Sequence, residues 1–114
     1  AEESRGRGDV YKSPLELQVL QREARAELDQ LQASAQSAAQ RRSDYEGLQS
    51  DAARKAVQGI ELAYRRGAAS LTDLLDARRS WRDFEAALID ARADHAIALA
   101  RWEAATSVAE GESR

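Results

Sequence analysis

From Pro14 to Arg66 the chain has one proline, at the very start, and no cluster of turn formers. Arg66-Gly67-Ala68-Ala69-Ser70 then interrupts it, and a second unbroken run begins at Leu71. Two helix-length runs joined by three or four residues leave little choice of fold, because so short a link holds the two helices antiparallel and side by side. The sequence therefore predicts an all-α fold: a long antiparallel helical hairpin with helices at about 14–66 and 71–109 and a tip at 67–70. Residues 1–12 read as an irregular lead, 13–110 as the hairpin and 111–114 as a frayed tail.

Both helix starts carry chemical signals. Ser13-Pro14-Leu15-Glu16 offers a serine N-cap, proline at the first helical position and glutamate three residues after the cap, the reciprocal pattern of a capping box. Ser70 and Asp73 repeat that spacing at the second helix. Gly67 falls just past the first helix, where a left-handed residue stops it. Gly47 and Gly59 lie inside the first helix; each costs about 1 kcal/mol relative to alanine. Neither is expected to break so long a helix, and both are candidates for close approach to a neighbour.

Counting in sevens finds the packing face. Leu17, Ala24, Leu31, Ala38, Tyr45 and Ala52 form one row of the first helix; Leu28, Ala35, Ala56 and Ala63 form a second, broken by Arg42 and Gln49. In the second helix Leu74, Trp81, Leu88, His95 and Trp102 run beside Phe84, Ala91, Ala98 and Ala105. A sustained seven-residue repeat is the mark of a coiled coil. Composition agrees: 5% aromatics and an alanine-rich 43% apolar fraction in 114 residues suit a thin two-helix core better than a globule. Paired about the turn, Ala109 falls opposite Leu28 and His95 opposite Arg42. Leu15, Leu17, Val19 and Leu20 then overhang without an intramolecular partner, which implies either another chain or further sequence beyond this stretch, so a self-associating fragment is expected.

Charge narrows the functions. The net charge is −3; residues 1–67 hold eleven basic and eleven acidic side chains, and 68–114 hold six and nine. Neither half presents a basic track for phosphates, so nucleic acid is not an expected partner. With no cysteine there is no thiol chemistry or cysteine metal site, and the lone His95 reads as a packed or interfacial residue rather than a metal ligand. Asp51 with Lys55 and Glu61 with Arg65 have the spacing of helix-surface ion pairs. No nucleophile stands with a base and no glycine loop cradles phosphate, so no enzyme, cofactor or metal is expected.

The turn and the start of the second helix are distinctive. Tyr64, Gly67 and Leu71 lead into Asp73-Leu74-Leu75-Asp76-Ala77, and ARADHAIA stands at 91–98. Residues 63–105 resemble the last periplasmic helical hairpin of the TolC-like outer-membrane efflux proteins; the first helix, from about residue 20, resembles it more by pattern than by motif. The resemblance implies a homotrimeric channel in the Gram-negative envelope, its periplasmic tunnel built from such hairpins and working with a periplasmic adaptor protein and an inner-membrane pump. It implies that the tip, Arg66, Gly67, Ala68, Ala69 and Ser70, docks the adaptor, and that Asp73 and Asp76 form an acidic pore constriction. At Ala69 the chain departs from the family's best-known member, which has an arginine that helps hold the closed state; Arg65, Arg66, Arg78 and Arg79 flank the tip instead.

Bland readings stand beside these. Asp73 and Asp76 occupy the first turns of a helix, where carboxylates favour the macrodipole, and Gly67 is first a helix stop. Two further functions remain in play: the helical hairpin of a periplasmic adaptor, which would be flanked by β-domain halves, and a plain structural coiled coil, which would need no special tip.

Overall fold

The computed structural model describes residues 13–112. They form three helices: α1 (Pro14–Glu46), α2 (Leu48–Arg65) and α3 (Leu71–Glu112). α1 and α2 are two parts of one long bent helix, and both pack antiparallel on α3. The result is a rod of 85 × 26 × 20 Å with a radius of gyration of 25.2 Å, about twice that of a compact domain of similar length. The boundaries fall close to those expected, with α3 continuing through Gly111 rather than fraying there. The lead at 1–12 and residues 113–114 lie outside the described residues.

The caps form as the sequence specifies. The Glu16 N–H donates to Ser13 Oγ at 3.2 Å, and the Ser13 N–H donates to the Glu16 carboxylate at 3.2 Å. At the other end of the bent helix Gly67 adopts φ +78°, its N–H bonds the Tyr64 carbonyl at 3.0 Å, and the Ala68 N–H bonds the Ala63 carbonyl at 2.8 Å. Those two bonds are a Schellman closure, which satisfies carbonyls that the helix end leaves open. Gly67→Ala should lower stability by about 1–2 kcal/mol through the left-handed backbone, whereas Gly59→Ala, in open space, should raise it by about 1 kcal/mol. Urea titrations of the two variants measure both.

The seam of α3 follows the expected repeat. Leu74 and Ala91 are buried, and Ala77, Trp81, Phe84, Leu88, His95, Ala98, Trp102 and Ala105 are partly buried along the same face. The bent helix does not keep one repeat. From Leu28 the inward residues are Leu31, Ala35, Ala38, Arg42 and Tyr45, in alternating steps of three and four; the next inward residue is Ser50, then Ala53, Val57 and Ile60. The step from Tyr45 to Ser50 is five. One residue is inserted into the heptad, and from Ser50 to Ile60 the inward positions fall one residue later, whereas Ala63 is partly buried where the unbroken count puts it.

Gly47 is where that insertion is absorbed. The helix is interrupted there, contrary to the expectation that it would pass through, and the backbone turns at φ −94°, ψ −119°. A Cβ at this position would lie 3.2 Å from the Ser43 carbonyl oxygen, so the close approach is to the helix's own backbone; around Gly59 nothing lies within 4 Å. Neither glycine marks a neighbouring helix within the chain. As a consequence Ala52 and Ala56, expected in the seam, are exposed, and Ala53 and Val57 take their place. Tyr45, the last inward residue before the bend, sets its ring 5.8 Å from Phe84, which stacks on Trp81 at 5.8 Å. Those aromatic contacts support the seam beside its wide step.

At the open end the overhang is present as expected. Leu28 and Ala109 line the same cleft, and Leu15, Leu17, Val19 and Leu20 are all exposed, Leu15 by 71%.

Candidate functional site

Two places gather polar chemistry: the tip and the bend. At the tip, the Ser70 N–H donates to Asp73 Oδ2 at 3.1 Å and the Asp73 N–H donates to Ser70 Oγ at 3.1 Å. Asp73 therefore completes a capping box, which fixes its rotamer and points its carboxylate back toward the turn. One oxygen accepts that bond, and the residue as a whole is exposed. Asp76, one turn on, is also exposed and faces Arg79 at 3.9 Å. Residues three apart share a helix face, so Asp73 and Asp76 lie on one side of the first turns of α3, the first carboxylate bonded back to the turn and the second toward Arg79, where the N-terminal dipole favours negative charge.

Around them Arg66, Gly67, Ala68 and Ser70 are exposed and Ala69 is partly buried. Ala69 is held by its N–H to the Ala63 carbonyl at 3.3 Å. Among the described residues Arg65 and Arg66 make no ion pair, while Arg78 reaches across the hairpin to Glu61 at 3.8 Å. The tip is thus a hydrogen-bonded turn with two exposed arginines just before it and two exposed aspartates just after it, of which Asp76 is paired with Arg79.

The bend holds the second cluster. Arg42 Nε donates to Glu46 Oε1 at 2.6 Å, and Arg92 Nε donates to the same oxygen from α3 at 3.1 Å. Arg42 also approaches His95 Nδ1 at 3.4 Å, the pairing expected from counting about the turn. His95 is part of the seam, and among the described residues no group of three or more His, Asp or Glu could hold a metal. Hydrogen bonds from Arg42 and then Arg92 hold the Glu46 carboxyl below its usual 4.5. Because the folded value is the lower one, this pairing supports the hairpin above about pH 4.5 and is lost as pH falls below it. The thermal midpoint of Glu46→Gln should therefore drop less between pH 7 and pH 3 than that of the wild type.

The sequence missed the Glu46–Arg92 bridge and misassigned two surface pairs. Asp51 pairs with Arg54 at 3.7 Å rather than with Lys55, and Glu61 with Arg78 rather than with Arg65. Helix-surface spacing alone cannot rank an i,i+3 neighbour such as Arg54 against Lys55, or weigh a partner on the facing helix. No helix among the described residues is long and apolar enough to cross a membrane. No protein family, curated protein or solved structure matches the chain.

Proposed function

We propose that this chain is the periplasmic helical hairpin of a trimeric outer-membrane efflux channel. Its two helices line part of the tunnel, its turn docks a periplasmic adaptor that recruits an inner-membrane pump, and Asp73 and Asp76 narrow the entrance for exported small molecules, ions or proteins. The observation that carries this reading is the tip. A plain spacer needs only a stop and a start there; this turn presents Arg66, Gly67 and Ala68 to solvent and sets two carboxylates on one exposed face directly after it. Asp73 has one oxygen in the cap and one to spare, so capping and lining a pore are compatible.

The capping box also favours the spacer reading, since a structural coiled coil would use Asp73 in the same way. Adaptor recruitment separates the two. In the full-length channel Gly67→Val should weaken capture of the adaptor about tenfold or more, the loss of a contact worth roughly 1.4 kcal/mol, with far-ultraviolet circular dichroism nearly unchanged. Equal capture by wild type and variant would remove the docking role from the tip.

A further inference from the structure

α2 carries two rows of residues that fit a helix seam. In the structure Ser50, Ala53, Val57 and Ile60 turn toward α3, Val57 buried and the others partly so. The row that continues the count of sevens from α1 runs through Ala52, Ala56 and Gly59, which are exposed. It lies about 100° around the same helix, the rotation of one residue. Its side chains are all small, and Gly59 has nothing within 4 Å of where its Cβ would be. A helix interior disfavours glycine, and nothing around Gly59 calls for one while it faces outward; turned inward, it would let α3 approach closely.

Gly47 is where the two phases part. It is the single non-helical residue between α1 and α2, at φ −94°, ψ −119°, outside the helical region. Its N–H donates to the Ser43 carbonyl at 3.0 Å, and the Asp51 N–H donates to the Gly47 carbonyl at 3.2 Å, so helical bonding reaches it from both sides. Helical dihedrals at this one residue would make α1 and α2 continuous. Ala52, Ala56 and Gly59 would then fall in line with Ala38, Arg42 and Tyr45. Little holds α2 against that turn: Val57 is its one buried side chain, and Glu61 with Arg78, at 3.8 Å, is its one ion pair to α3 among the described residues.

We infer that α2 is a two-position helix with Gly47 as its switch. The observed phase buries the larger Val57 and Ile60 and is the major one. In the other, α2 is rotated by about 100°, Val57 and Glu61 leave the seam, and the alanine row replaces them. Packed helices hold discrete arrangements rather than a continuum, so the hairpin exchanges two faces of α2 without unfolding. Its tip-side half thereby turns outward either Ala52 and Ala56 or Arg54, Val57 and Glu61. The switch belongs to the hairpin itself and does not rest on the channel reading.

The chain has no cysteine, so disulfide trapping reads the phase directly. Leu88 lies on the α3 seam four residues before Arg92, as Ser50 lies four after Glu46, the residue that Arg92 bonds. Three variants share Leu88→Cys and add Ser50→Cys, Asp51→Cys or Ala52→Cys. Position 50 faces α3 in the observed phase, position 52 only after the turn, and position 51 in neither. On mild oxidation the 50/88 pair should close fastest, and the 52/88 pair more slowly but severalfold faster than the 51/88 pair. Gly47→Ala disfavours the bend, because its Cβ would lie 3.2 Å from the Ser43 carbonyl oxygen, and favours continuous helix. It should speed the 52/88 pair severalfold and slow the 50/88 pair, with far-ultraviolet circular dichroism equal or stronger. Deleting Gly47 keeps the observed phase instead, and should slow the 52/88 pair to the level of 51/88. With the native glycine in place, a 52/88 pair that closes no faster than 51/88 overturns the switch; so does a folded Gly47→Ala chain whose 50/88 and 52/88 rates match those of the parent.

Discussion

On the channel reading proposed above, a full-length protein with Asp73 and Asp76 both changed to alanine should pass more current in planar bilayers than the wild type and escape block by a multivalent cation added on the periplasmic side. The size of the effect comes from geometry. In the proposed trimer, three hairpins around one axis would bring up to six carboxylates together, two from the exposed first turns of each α3. Unit charges about 4 Å apart at an effective dielectric near 20 attract by about 4 kcal/mol. Retaining even half of that after competition from water and salt makes the blocking affinity fall at least tenfold, since each 1.4 kcal/mol is a factor of ten. Raising ionic strength should shrink the wild-type block toward the mutant level. Asp73→Ala also removes the acceptor for the Ser70 N–H, so the Asp73→Asn/Asp76→Asn pair is the sharper variant: the amide oxygen can keep the cap while the charge is gone. If the asparagine pair blocks as the wild type does, the constriction is elsewhere and Asp73 is a helix cap alone.

Legibility in the sequence divides along a physical line. Caps and stops are local, decided by a few residues and their own backbone, and both capping boxes and the Gly67 turn form where the sequence places them. The α3 seam is equally legible because its repeat is unbroken from Leu74 to Ala105. The first helix is misread at Ala52 and Ala56, because an unbroken count of sevens carries one phase past Tyr45; Ala63, the last of that count, is partly buried as expected. The warning lies in the sequence: the row fails at Gln49, and Ser50, Ala53, Val57 and Ile60 form a more apolar row than Gln49, Ala52, Ala56 and Gly59. Arg42, also counted as a break, belongs in the seam because His95 and Glu46 receive its guanidinium. At the tip, positions and hydrogen bonds are legible, whereas roles are set by what the exposed carboxylates and arginines meet on other chains.

Deleting Gly47 should leave the hairpin folded and raise its stability. A one-residue deletion inside a coiled coil ordinarily rotates every later side chain by about 100° out of the seam. Here it has the reverse effect, because the seam already runs one residue late: without Gly47 the step from Tyr45 to the next inward residue becomes four, and Ser50, Ala53, Val57 and Ile60 fall into the phase set by Ala35, Ala38 and Arg42. Contacts across the hairpin agree. Arg42 meets His95 on one side of the bend and Glu61 meets Arg78 on the other, so nineteen residues of the first helix span what seventeen of α3 span, and the deletion reduces the excess. Removing a helical glycine adds about 1 kcal/mol, and continuous backbone bonds replace the interrupted turn. The urea midpoint should rise, with far-ultraviolet circular dichroism equal or stronger, whereas deleting Ala38, buried in the same helix, should cost several kcal/mol by throwing the rest of α1 and α2 out of phase. If the two deletions were equally damaging, the bend would be a packing feature in its own right rather than the place where an extra residue is absorbed.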